Sequence, residues 1–156
     1  MIVKKSQRRI ARERALQILY AYEFNRDNLT LLIEGITADL HGANDKEFSA
    51  KLANLVIGHR NELDDFIKGK VDNWEIERIA LIDRILLRMG IAELLFFEDI
   101  PPKVSINEVI EMAKEYSTSN SGKFLNGILD AILSDLKSSG KIKKTGRGLL
   151  EKSLKK

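Results

Sequence analysis

Arg9, Arg12 and Tyr20 recur at spacings that bring them to one side of a helix. At about 100° per residue they fall within a sector of about 80°, flanking an apolar stripe of Ala11, Ala15, Ile18, Leu19 and Tyr22. Such a strip offers cations and a ring to one ligand, the chemistry needed to hold a chain of negative charges that also carries flat groups. A second cluster opens the last apolar helix: Asn120, Gly122, Lys123, Phe124, Asn126 and Gly127. Helix stability alone does not select these residues, because glycine and asparagine are poor helix formers. Each cluster also has a simpler reading. The arginines and Tyr20 also read as surface groups covering the edge of the core, as on an arbitrary helix, and Phe124 as an ordinary core residue.

Helical periodicity accounts for the elements that must carry these groups. The first helix is expected from about Ser6 to Phe24. A second runs Leu29–Leu40, capped by Asn28, with Leu29, Leu32, Ile33, Ile36 and Leu40 inward. After a turn with Gly42 and Asn44, the stripe Phe48, Leu52, Leu55, Val56, His59, Leu63, Phe66 and Ile67 predicts one long third helix. A loop from Gly69 to Asn73 leads to a short helical turn with Trp74, Ile76 and Ile79 facing the core. The run from Leu81 to Phe97 is mostly apolar, which predicts the central helix; its Asp83, Arg84, Leu87 and Arg88 must reach solvent, a partner or each other. Pro101 and Pro102 end it. Ser105 with Glu108 has the spacing of a capping box, which predicts a helix start at Ser105. A polar hinge, Ser117 to Ser121, precedes the final helix, Ser121 to about Leu136, with Leu125, Ile128, Leu129, Ile132 and Leu136 buried. No stretch alternates as a strand does.

Composition narrows the function classes. The 156 residues include no cysteine and are 44% hydrophobic, enough for a core without disulfides. No apolar stretch approaches the ~20 residues of a bilayer span, and the expectation is a soluble, cytoplasmic protein. Residues 1–14 carry six Lys or Arg against one Glu, and residues 137–156 carry eight against one; the net charge of +3 therefore leaves −9 for the stretch between. Basic ends suit a polyanion, and the acidic middle suits a basic protein. The Gly-, Lys- and Ser-rich segment 138–156 is expected to be disordered, beyond a folded domain of residues 1–137. Phosphate loops, dinucleotide fingerprints, zinc-protease motifs and nucleophile elbows are absent from the sequence, so no catalytic residue, metal, cofactor or small-molecule substrate is expected. His59 lies within an apolar stripe and His41 stands alone.

Several segments are familiar as a set. Arg8-Arg9-Ile10-Ala11-Arg12-Glu13-Arg14-Ala15-Leu16-Gln17-Ile18-Leu19-Tyr20 resembles the arginine-rich first helix of the transcription antitermination factor NusB family. Trp74–Ile79, Asp83–Arg88 with Glu93-Leu94, Pro102–Glu108 and Lys123–Asp130 resemble the same family in the same order, so the likeness spans about residues 6–135. It implies an all-α domain of two three-helix bundles. It also implies pairing with NusE, a small-subunit ribosomal protein, binding of boxA-type RNA in nascent transcripts, and a place in the RNA polymerase antitermination complex. By position, Arg8, Arg9, Arg12 and Tyr20 match the family's RNA-facing helix, while Asn120, Lys123 and Phe124 match the start of its last helix. Glu77 and Asp83 match acidic positions that face NusE.

The residues agree with that implication. Single-stranded RNA is gripped by cations along its backbone and by stacking on rings, and base edges need donors and acceptors such as Asn120 and Gln17. Gly122 and Gly127 are expected to permit close backbone approach. Ile10 departs from the family pattern, where some relatives add an arginine, and the basic tail lies outside it. Two other readings remain: a fragment of a ribosomal RNA cytosine methyltransferase, whose N-terminal domain is related, and a protein adaptor with no RNA role.

Overall fold

The computed structural model describes residues 4–71 and 73–150, with the backbone alone for 73–75. The described residues form helices and no strands, in two units that meet in sequence between Gly58 and His59. None of these helices is long and apolar enough to cross a membrane.

The first unit is built on α1, Gln7–Phe24, which starts because the Ser6 hydroxyl accepts from the Arg9 amide at 3.0 Å. Helix α2, Leu29–Ile36, is capped in the same way by Asn28, as its sequence predicts. It stops short of Leu40, however, where Thr37 turns its hydroxyl back to the Ile33 carbonyl at 2.7 Å. Helix α3 is Ala43–Gly58. Ala11 and Ala15 are fully buried, and the Ser49 hydroxyl donates to the Ala11 carbonyl at 2.6 Å. Small side chains thus let α3 lie close along α1, with Phe48, Leu52 and Val56 filling the seam. Arg14 grips Asp39 at 2.7 Å, and that hydrogen bond, helped by the guanidinium charge, holds the Asp39 carboxyl below its usual range.

The second unit contains α4 (Arg60–Lys68), a 3-10 turn (Asn73–Arg78), α5 (Leu81–Phe96), α6 (Pro102–Tyr116) and α7 (Ser121–Ser138). The expected single third helix is therefore two. The break falls at His59, with φ −113° and ψ 21°, next to Gly58; the apolar stripe continues across it, so periodicity alone cannot show it. Helices α5, α6 and α7 form a bundle in which each packs on the other two, and α4 also packs against α5. Gly90 sits where they converge. A Cβ there would stand 3.1 Å from Val109 and 3.2 Å from Leu129, tighter than ordinary contact.

Two boundaries differ from expectation. Helix α6 starts at Pro102 rather than Ser105, because the first helical position needs no N–H and proline's fixed φ already suits it. Ser105 is instead buried, donating to Glu93 at 2.7 Å. The expected disorder beyond Ser138 is not what residues 139–150 show. Helix α7 ends in a Schellman motif, with Gly140 at φ +70°, the Lys141 amide on the Leu136 carbonyl and the Gly140 amide on that of Lys137. The strap that follows is tied to the end of α5: Lys144 Nζ donates to the Glu93 and Phe97 carbonyls at 3.2 and 2.7 Å, and the Thr145 amide to that of Glu98 at 3.0 Å. A short 3-10 turn, Gly146–Leu149, completes it. The expected contact of the Trp74 ring and the part of the expected tail from 151 to 156 lie outside the described residues.

A Cβ at Gly148 would land on the Glu98 carbonyl oxygen. Gly148→Ala should therefore release the strap, speeding tryptic cleavage after Lys144 and Arg147. The cost in global stability should be about 1 to 2 kcal/mol, read by urea unfolding. Cleavage at the wild-type rate would mean that the strap is not held there.

Candidate nucleic-acid interface

In the first unit the cap at Ser6 fixes the opening turn of α1, and with it the arginines. Arg8 lies with its guanidinium carbon 4.2 Å from the Phe48 ring centre, and its Nε donates to Asp45 at 3.3 Å. This is a cation held over a ring and pinned by a carboxylate, with part of the guanidinium still open to solvent. Arg9 is half-buried beside it. Arg12 stands 5.2 Å from the same Phe48 ring but is only 3% exposed. The outward strip expected from the helical wheel is therefore incomplete: Arg12 faces inward, where its charge lies over the ring that α3 supplies.

Further along α1, Tyr20 is 41% exposed, and its ring centre lies 5.1 Å from that of Phe24 at a tilt of 59°. Phe24 is 70% exposed, so the two rings form a solvent-facing pair. Sequence reasoning places Phe24 only as the end of the helix, although the spacing carries the pair, since positions i and i+4 share a helix face. Gln17 is also exposed on α1.

In the second unit the last helix begins at Ser121 with Asn120 in the cap position, but no side chain caps it. The hinge hydroxyls do other work. Ser121 Oγ lies 2.9 Å from both Ser117 Oγ and Thr118 Oγ1, and donates to Asp83 Oδ2 at 2.8 Å. This network ties the first turn of α7 to α5. The turn in consequence presents Asn120 and Lys123 exposed, with Phe124 at 43%. Phe124 also borders a cavity of about 290 Å³ whose walls include Val71, Arg78, Ile79, Ala80 and Asp83. Gly122 fits closely on α6, where a Cβ would be 3.4 Å from Ile110, whereas Gly127 faces open space and needs no close approach.

The two acidic positions separate. Glu77 is exposed on the 3-10 turn. Asp83 is 6% exposed; its Oδ2 accepts from Ser121, and it stands in the wall of the cavity beside Phe124. Among the described residues no three His, Cys, Asp or Glu cluster as metal ligands. His59 stacks on Phe96 with ring centres 4.5 Å apart and meets Glu62 at 3.0 Å.

The described residues thus make an all-helical protein with half-exposed rings on each unit, beside partly exposed arginines on the first and an exposed lysine on the second. Comparison with known proteins gives the family: the NusB family model matches residues 9–134, and the chain belongs to the NusB family. It is 47% identical over 154 residues to the transcription antitermination protein NusB of Chloroherpeton thalassium, covering 96% of this chain and 72% of that one. To the NusB of Salinibacter ruber it is 45% identical, covering 93% and 92%. Its fold matches a crystal form of T. maritima NusB with a TM-score of 0.77 at 38% identity, over 85% of this chain and 94% of the other. It also matches a crystal structure of antitermination factors NusB and NusE in complex with dsRNA, with a TM-score of 0.75 at 27% identity, over 83% and 97%.

The geometry separates neighbouring arginines by role. Arg12→Ala should cost about 1 to 3 kcal/mol of stability, because it removes a buried side chain and its charge from the Phe48 ring. Arg9→Ala, at a half-buried position, should cost less than Arg12→Ala. Equal melting shifts in the two variants would contradict the assignment.

Proposed function

We propose that the chain is a transcription antitermination factor that pairs with NusE and, with it, binds boxA-type single-stranded RNA in nascent transcripts. It thereby supports transcription of ribosomal RNA operons as part of the elongating RNA polymerase complex. It acts in the cytoplasm, by binding rather than by catalysis. The observation that carries this reading is the match to the NusB family over residues 9–134, shared with a solved NusB held in a complex with NusE and RNA.

For RNA, the first unit offers Arg8 and Arg9 to phosphates and Tyr20 to a base; the second offers Lys123 to a phosphate, Phe124 to a base and Asn120 as donor and acceptor to a base edge. Phe24 extends the stacking surface beside Tyr20. Arg12 supports this face from beneath through Phe48. The solved complex holds dsRNA; exposed rings on both units favour unpaired bases for this chain, because a ring stacks only on a base that is not already stacked on both sides. On the protein side, exposed Glu77 takes the basic partner NusE, while Asp83 acts through Ser121 on the α7 turn.

Replacing Arg8 and Arg9 together by Ala should weaken binding of boxA RNA in anisotropy titrations. The log–log salt slope should become shallower by up to about 1.4, at roughly 0.7 per phosphate contact on a single strand. An unchanged affinity and slope would remove these arginines from the interface. Glu77→Lys should weaken NusE binding several-fold by placing like charges together, leaving RNA binding by the protein alone as it was. Calorimetry giving one NusE affinity for both proteins would exclude Glu77 from that contact.

A further inference from the structure

The strap from Lys141 to Leu150 is a feature that the family's matched region, residues 9–134, does not include. Its exposure alternates: Lys141, Lys143 and Thr145 are exposed, and Ile142 and Lys144 are turned partly inward. That is the pattern of an extended run with one side against the protein. The inward side is fixed by Lys144 on two α5 carbonyls, by the Thr145 amide on Glu98 and by Gly148, which is buried where no Cβ fits. The outward side is a row of cations, Lys141 and Lys143, continued by Arg147 on the 3-10 turn. The strap therefore differs from a mobile polycation. It commits one lysine to anchoring and displays the others in fixed order.

We infer that this docked strap is a second RNA-binding edge, taking the phosphates of a single strand on Lys141, Lys143 and Arg147. Side chains two residues apart in an extended run are about 6.6 Å apart, a step that suits successive phosphates of an extended strand. No ring stands in the row to stack on bases, so the edge reads charge and not sequence. Anchoring gives it an advantage over a loose tail of equal charge, because the backbone is already ordered and its entropy is not lost again on binding. The row's cations would suit an acidic protein surface too; RNA is favoured because the same chain presents cations and rings for RNA elsewhere. The inference rests on the RNA-binding reading above.

The test uses the full chain with NusE, titrated with boxA-containing RNA and with a scrambled strand of equal composition. Changing Lys141, Lys143 and Arg147 together to Ala should lower affinity for both strands by the same factor. It should also reduce the log–log salt slope by about 2, so that raising salt from about 50 to about 200 mM closes the gap between variant and wild type roughly twentyfold. Gly148→Ala, which leaves every charge in place, should also weaken both, since it frees the strap. Affinity unchanged in the triple variant overturns the inference and leaves the row to an acidic partner. A triple variant that loses affinity while Gly148→Ala retains it, with tryptic cleavage showing the strap released, also overturns it in favour of a mobile tail. A loss confined to boxA RNA overturns the phosphate assignment. Absence of RNA binding by the wild-type protein with NusE is a different result, which removes the RNA-binding reading itself.

Discussion

The second unit depends on one constraint: α5 is buried on nearly every side and still carries three buried charged residues, Asp83, Arg88 and Glu93. From Ile85 to Leu94 every residue is buried. Leaving a buried charge unpaired costs several kcal/mol, so each one requires a partner at a fixed place. Asp83, Arg88 and Glu93 are five residues apart, a rotation of about 140° at each step, and so point in three directions around the helix. Each meets a different neighbour. Asp83 takes the hydroxyl of Ser121 on α7, Arg88 grips Asp64 of α4 through two bonds of 2.7 and 3.2 Å, and Glu93 takes the hydroxyl of Ser105 on α6. Apolar packing alone would tolerate small rotations of the helices about α5. The three polar ties permit one arrangement, and the arrangement sets what the first turn of α7 presents.

The same constraint explains why the two acidic residues assigned to one role come apart. A carboxylate at position 83 lies on the face that meets α7, and there it serves the hinge; Glu77, on a short turn before α5, remains in water. In the first unit Phe48 plays the corresponding part. It is buried, yet two guanidinium groups approach its ring, Arg8 from the solvent side and Arg12 from within. One aromatic residue of α3 therefore fixes how the arginines of α1 are shared between support and display.

Much of this is legible in the amino-acid sequence. The stripes of α1, α5 and α7 predict helices of nearly the right extent, because an apolar period of 3.6 over sixteen or more residues has no competing explanation. What is not legible involves partners distant in sequence or belonging to the backbone. Arg12 lies in the same wheel sector as Arg9, and only the position of Phe48 turns one inward. Asp83 and Ser121 are 38 residues apart. The motif at Ser105 and Glu108 has the spacing of a capping box, but Pro102 has already begun the helix one turn earlier. The strap is hidden most completely. Its composition is that of a disordered segment, while the groups that hold it are main-chain carbonyls at the end of α5, which no side-chain pattern reveals.

Those carbonyls also connect the strap to the logic of α5. Carbonyls gather at the end of a helix at the negative end of its dipole, and a cation placed there is favoured; here it adds a second hydrogen bond to carbonyls that already accept from the Phe97 and Ile100 amides. Helix α5 ends at Phe96, and the segment that follows turns toward the prolines that start α6, so no residue of that connection supplies a cation. Lys144 supplies it from the far side of α7 in sequence. The helix that the whole unit is packed around is thus closed at its end by the segment that composition marks as least structured, and anchoring that segment is what gives its remaining cations defined positions.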